Sequence, residues 1–143
     1  MGLMLTLYTS AAPPQIVMMV ADDLGWGDIS WRGGDARTPN LDQLRTEGIE
    51  LNRYYGHATC VPTRVAIHTD RNPYRFGIVA PGTGNPPLDE HFLPQTLKQA
   101  GYSTRLVGKW HLGDDSTDYY PTSREFDSFF GFLGGGTNYF GTL

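Results

Sequence analysis

Ile16-Val17-Met18-Met19-Val20-Ala21-Asp22-Asp23 is the stretch that decides the fold class. An unbroken apolar run following two prolines fits a strand buried on both faces, the pattern of a parallel sheet. The run ends in two aspartates, and a glycine-bearing loop through Gly25 and Gly27 follows. In open α/β sheets, ligand sites lie beyond the carboxyl ends of the strands. The same octapeptide therefore proposes both a sheet and the edge of a site.

Working outward, Thr38-Pro39 opens a short helix, with Thr38 as N-cap and Pro39 at its first position. Leu41 and Leu44 give that helix an apolar face, and Gly48 stops it. Residues 49–55 read as a second strand. A further helix starts near Pro62 and runs to about Thr69. Residues 72–87 form a long loop. Leu93-Pro94 begins another helix, which closes at Gly101. Residues 104–107 form a short strand leading into Gly108-Lys109-Trp110-His111. This β-α alternation predicts an α/β fold with a doubly wound sheet. The tail carries Phe126, Phe129, Phe130, Phe132, Tyr139 and Phe140 around Gly134-Gly135-Gly136, so it needs a partner surface.

A chain of 143 residues suits one domain, and it contains neither internal repeats nor a dividing linker. Its net charge of −4 gives no basic footprint for nucleic acid. Gly 18 and Pro 10 favour loops, while 13% aromatic residues oppose disorder. The single cysteine, Cys60, can form neither an internal disulfide nor a thiolate zinc cage. No apolar run reaches the ~20 residues of a membrane span. Residues 1–12 end in Thr9-Ser10-Ala11-Ala12, a small-residue pattern that reads as the remnant of a secretory signal and points to a periplasmic or secreted location.

Three segments carry chemistry. Asp22 and Asp23 sit where the strand ends and the backbone turns, so both carboxylates can meet one hard cation. The alternative is a solvated acidic turn. In Cys60-Val61-Pro62-Thr63-Arg64 the cysteine faces the N-terminus of a helix, where N–H groups and the dipole favour anions. Arg64, four residues on, reaches the same face and can fork onto an oxyanion. Two other readings stand beside this one: a reactive thiol, or a buried structural cysteine with Arg64 at the surface. Lys109 and His111 share one side of an extended segment with Trp110 opposite, a cation beside an imidazole. That pair can stabilise charge and move a proton, or be a surface lysine and a packed histidine. His57, Asp28, Trp26 and Trp31 read as packing or loop residues, and Asp114-Asp115 as an acidic turn.

Together these segments resemble the opening part of the sulfatase family, whose signature is Cys-x-Pro-Ser/Thr-Arg followed by Thr-Gly-Arg. Cys60, Pro62, Thr63 and Arg64 match the first part, and Thr69 and Arg71 the second. Asp70 replaces the usual glycine, and His68 stands where such helices carry an apolar residue. In a left-handed conformation Asp70 would cost about 1–2 kcal/mol, less than most residues. Gly108-Lys109-Trp110-His111-Leu112-Gly113, Thr38-Pro39-Asn40-Leu41-Asp42, and Arg124 with Phe126-Asp127 and Phe129-Phe130-Gly131 are also similar to the family. Glu125 stands where glycine is common.

The resemblance implies a sulfuric ester hydrolase. Residues 13–143 would be the N-terminal part of its alkaline-phosphatase-like doubly wound sheet, truncated before the later Asp-Asn metal pair, second histidine and second lysine. It implies Asp22, Asp23 and the modified residue 60 as ligands of Ca²⁺, with Mg²⁺ the other candidate ion. It implies Cys60 converted to a formylglycine nucleophile by a formylglycine-generating enzyme. Arg64 would hold the hydrate, Lys109 the sulfate, and His111 would assist the nucleophile. The substrate would be a sulfated small molecule or glycan. Two other functions compete: a metal-dependent phosphoester or phosphonate hydrolase of the same superfamily, and a non-catalytic fragment.

Overall fold

Proline and glycine mark the helix boundaries in the computed structural model, which describes residues 12–138 and 140. The signal-like segment, up to residue 11, and Tyr139 of the tail lie outside those residues. Helix α1 spans Pro39–Glu47 between Thr38 and Gly48, as the sequence predicts. The Thr38 side chain does not cap the backbone. It receives the Ser30 N–H at 3.1 Å, and Ser30 Oγ donates to Asp42 Oδ1 at 2.7 Å. Helix α2 spans Cys60–Thr69, so it begins two residues before Pro62 and takes Cys60 into its first turn. Helix α3 spans Leu93–Gln99, and the Phe92 N–H donates to Gln95 Oε1 at 2.6 Å.

Asp70 takes the left-handed conformation anticipated for it, with φ 54° and ψ 26°. Its N–H closes α2 by donating to the Ala66 carbonyl at 2.9 Å. Glu125, the other residue at a glycine-like position, has φ 73°. Both sites therefore hold a side chain where the backbone favours none.

Strand β1, Arg105–Lys109, pairs in parallel with β2, Ser128–Phe132. The register sets Leu106 opposite Phe129 and Gly108 opposite Gly131. Beside it, Thr104 N–H donates to Asp127 Oδ2 at 2.7 Å and Thr104 Oγ1 to the Glu125 carbonyl at 3.0 Å, fixing where β2 starts. Helices with a parallel sheet are the α/β class read from the sequence.

Two expected strands are absent. Residues 16–21 are coil, residues 49–55 are coil broken by a turn at Asn52-Arg53, and Ile16 to Val20 are 47–78% exposed. A strand buried on both faces needs neighbours for its backbone N–H and C=O groups. Among the described residues the sheet has only β1 and β2, and neither is paired by a hydrogen-bonded ladder to these runs. Leu41 and Leu44 of α1 are likewise exposed.

The core is Val61 and Val65 from α2 with Ile78, Phe92, Trp110 and Leu112. Phe126, Phe129 and Leu133 pack on its margin, so part of the aromatic tail finds its partner here, while Phe130 and Phe140 remain exposed. Of the three tryptophans only Trp110 is core, its indole N–H donating to the Tyr119 carbonyl at 2.9 Å. Trp26 lies at the surface under the Arg32 guanidinium, 3.2 Å from its ring centroid. Arg124 is buried: it donates to the Leu88 carbonyl at 2.7 Å and the Pro87 carbonyl at 3.0 Å, and stacks 3.9 Å over Phe92. Among the described residues no helix is long and apolar enough to cross a membrane.

The β1–β2 contact depends on glycine at one pair. A Cβ at position 131 would lie 1.9 Å from the Gly108 carbonyl oxygen. Gly131→Ala should therefore destabilise the chain by about 2 kcal/mol or more in urea unfolding. Gly27→Ala, whose Cβ would meet nothing within 4 Å, should stay within about 0.5 kcal/mol of the parent. Equal stabilities of the two variants would contradict the strand register.

Candidate active site

The three chemistry-bearing segments meet at the N-terminal turn of α2 and the C-terminal end of β1. Arg64 is on the buried side of α2, with Val61 and Val65 as its buried neighbours. Its Nη1 donates to the Lys109 carbonyl at 2.6 Å, tying the helix to the last residue of β1. Its Nη2 donates to Asp22 Oδ1 at 3.3 Å. Lys109 Nζ donates to Asp22 Oδ2 at 2.6 Å. The Asp22 carboxylate thus sits between two cations. The Lys109 hydrogen bond, and then Arg64, hold its carboxyl below the usual range, against the opposing effect of burial.

Alternation along the extended chain sends Trp110 into the core and Lys109 and His111 to the site, as expected. His111 then takes φ 60°, a left-handed conformation uncommon outside glycine. That turn aims its ring at α2, and Nδ1 lies 3.2 Å from Cys60 Sγ. Burial, with the Lys109 and Arg64 charges, pushes the imidazole pKa down, while Asp22 and Asp114 pull it partly back. His111 is therefore neutral at pH 7 and one ring nitrogen can accept a proton. Gly135 lies against its other side: a Cβ there would come within 2.7 Å of the ring.

Asp23 has φ 60° and is exposed, so the chain turns sharply straight after Asp22. Strain gathers at functional sites, and of the four left-handed non-glycine residues among the described residues two, Asp23 and His111, belong to this cluster. Asp28 accepts the Gly25 N–H at 2.7 Å and shapes the loop. His57 folds the approach to α2: its N–H donates to Thr63 Oγ1 at 3.1 Å, and its ring meets Tyr74 edge-on. Beside His111 is a cavity of about 400 Å³ lined by Asn85, Asp114, Asp115, Leu133 and Gly134 among others. Asn85 Nδ2 donates to Asp115 Oδ1 at 2.9 Å, a contact across 30 residues that the sequence does not announce.

The hard oxygens of Asp22 and Asp23 fit the chemistry of a divalent ion such as Ca²⁺ or Mg²⁺. They fit as part of a shell: among the described residues no three His, Cys, Asp or Glu side chains come together as a metal-binding group. The Cys60 thiol is too soft for such an ion, whereas an oxygen at that position would suit it.

A profile of the family described as Sulfatase matches residues 14–141. Arylsulfatase J of Mus musculus is 42% identical over 132 residues, covering 89% of this chain and 22% of that protein. N-acetylgalactosamine-6-sulfatase of Homo sapiens is 38% identical over 133 residues, covering 83% and 25%. Among solved structures, PsFucS1 sulfatase from Pseudoalteromonas sp. superposes with a TM-score of 0.71 at 38% identity, over 80% of this chain and 25% of that one. Ps i-CgsB superposes with a TM-score of 0.74 at 37% identity, over 85% and 28%. The chain belongs to the sulfatase family. It spans about a quarter of the length of the curated relatives it matches. Sulfatases in general use a formylglycine and a divalent metal.

Replacing Arg64 should unfold this corner of the molecule. In Arg64→Met the Lys109 carbonyl loses its donor and Asp22 one of its two cations. The expected loss is about 2–4 kcal/mol in urea unfolding. Arg64→Lys should recover less than half of it, because a point charge cannot fork to both partners. Full recovery by lysine would show that charge alone, not the two-pronged contact, holds α2 to β1.

Proposed function

We propose that this chain forms the nucleophile-bearing part of a sulfuric ester hydrolase site. The observation that carries this reading is the 3.2 Å approach of His111 Nδ1 to Cys60 Sγ beside the Asp22–Arg64–Lys109 cluster, in a chain of the sulfatase family.

Asp22 and Asp23 would hold Ca²⁺ through carboxylate oxygens, with residue 60 as a third ligand once it is a formylglycine made by a formylglycine-generating enzyme. Bound there, the ion would polarise sulfate oxygens and the formylglycine would supply an oxygen nucleophile in place of sulfur. Lys109, its ammonium already held at Asp22 Oδ2, binds a sulfate oxygen and offsets charge that builds in the transition state. Arg64 orients Asp22 and keeps it ionised, and its charge favours an anion at the helix N-terminus. His111, neutral and in line with residue 60, takes a proton as the nucleophile reacts and returns it later.

The substrate class is a sulfated glycan. Support comes from the polar cavity beside His111 and from relatives named for N-acetylgalactosamine-6-sulfate chemistry. Ps i-CgsB has also been solved in complex with k-i-k-neocarrahexaose. Asn85, Asp114 and Asp115 suit sugar hydroxyls, which both donate and accept hydrogen bonds.

The test is hydrolysis of an aryl sulfate and the matching aryl phosphate, with Ca²⁺ and converted Cys60. The 143-residue chain is assayed beside a version extended to the length of its relatives. The extended protein should turn over the sulfate, lose activity in Cys60→Ala, and slow by about 10²-fold or more in His111→Ala. The 143-residue chain should turn over little, since its described residues bring no three such side chains together for a metal. Preference for phosphate would replace the sulfatase reading with the phosphoester one. Robust turnover by the 143-residue chain, lost in Cys60→Ala, would show that its site is already whole.

A further inference from the structure

The cavity beside His111 carries a charge that the rest of the site does not share. Asp22 is matched by Arg64 and Lys109. The cavity is lined by the carboxylates of Asp114 and Asp115, and among the described residues no lysine or arginine lines it. Neither aspartate forms an ion pair among the described residues. A cleft lined by one sign of charge focuses its field on whatever enters.

The packing around the two aspartates fixes where they stand. Asp115 Oδ1 accepts the Asn85 amide N–H at 2.9 Å, which ties the segment after Leu112 to the loop at 82–85. Gly113, with φ 117°, is so closely packed that a Cβ there would lie 2.6 Å from Tyr119 and 3.1 Å from Asn85. Gly134 and Gly135 form another part of the wall. The Asp114 carboxylate stands 3.9 Å from the place a Cβ would take on Gly134, and the His111 ring 2.7 Å from the same place on Gly135. Two consecutive glycines therefore adjoin the carboxylate and the imidazole. The Asp114 charge also acts on His111, pulling its pKa up against burial.

We propose that Asp114 and Asp115 are specificity-determining residues: they admit a sugar unit whose only anionic group is the ester in the site, and they exclude a unit with a second sulfate or carboxylate beside it. This rests on the sulfatase reading, which puts the scissile ester against residue 60 and His111 and the sugar that bears it in the cavity. Hydroxyls on that sugar donate to the two carboxylates, and the Asn85 amide can both donate and accept. An anionic substituent meets like charge instead. At about 5 Å, two carboxylates repel one anion strongly enough, even screened by solvent, to weaken binding about tenfold or more. The selection works by repelling the wrong substrate rather than by adding contacts to the right one.

NMR titration of the uniformly ¹⁵N-labelled 143-residue chain reads this preference without turnover. The probes are galactose 6-sulfate and galactose 4,6-disulfate, which differ by one anionic group. Whichever ester of the disulfate enters the site, the other falls in the cavity. Galactose 6-sulfate should shift the Gly134, Gly135 and Asn85 side-chain signals, and the disulfate should bind about tenfold or more weakly. At about 0.5 M NaCl the gap should narrow to about threefold or less. Asp114→Asn/Asp115→Asn keeps the shapes and removes both charges, so it should close the gap in the same way while the Trp110 indole N–H signal stays in place. Equal or tighter binding of the disulfate by the parent chain would overturn the proposal, and so would the absence of a shift with either sugar. A gap that survives salt would overturn it too, and that result is readable even if the double variant does not fold. A gap that persists in the folded variant would assign the preference to shape and not to these charges. No ester is cleaved in the titration, so failure here is separate from failure of the sulfatase reading, which turnover tests.

Discussion

A buried guanidinium organises this molecule. Arg64 comes from α2, binds the last carbonyl of β1 and reaches the Asp22 carboxylate at the far end of the N-terminal segment. Hydrophobic contact alone could slide α2 along β1. Directional hydrogen bonds from a planar cation cannot slide without leaving a buried charge unpaired, which costs about 3–5 kcal/mol. Fixing α2 against β1 fixes Cys60 against His111, because Cys60 lies one helical turn from Arg64 and His111 two residues beyond Lys109. The apolar core beneath supplies the burial, and Arg64 supplies the register.

The site is also where the backbone departs from its easy conformations. Asp23 and His111 are left-handed, and Gly135 presses against the imidazole. Each departure turns a side chain away from where a regular strand would send it. Asp22 can then meet Lys109, and His111 can meet Cys60, although both pairs are far apart in sequence. Outside the site, the same conformation at Asp70 and Glu125 serves to end α2 and to start the turn into β2. Neither position has the glycine its backbone favours, so the chain carries local strain at both.

The helices were legible because proline, glycine and capping patterns are local. The Lys109/His111 alternation and the left-handed turn at Asp70 were legible for the same reason. Residues 16–21 and 49–55 were misread as formed strands because a strand is not a local object: an apolar run becomes one only beside a partner. The Arg64 contacts were foreseen as anion handling at the α2 N-terminus, but not as a tie to β1 and Asp22, since nothing in the sequence shows what lies across from a helix face. Arg124 was legible only through its likeness to the family; its carbonyl partners, and the Asn85–Asp115 contact, were not, because lone polar residues in loops have no periodicity to betray them. The departure at His68 was visible as an apolar position filled by a histidine. Its packing against Phe92, Trp110 and Phe126 was not.

The central claim is that residue 60 is the nucleophile position, a cysteine destined to become formylglycine. The most direct test is peptide mass spectrometry of Cys60 after the chain is made together with an active formylglycine-generating enzyme. The account predicts a formylglycine-containing peptide spanning Cys60-Val61-Pro62-Thr63-Arg64. An unmodified thiol throughout, with a control substrate fully converted in the same cells, would contradict it.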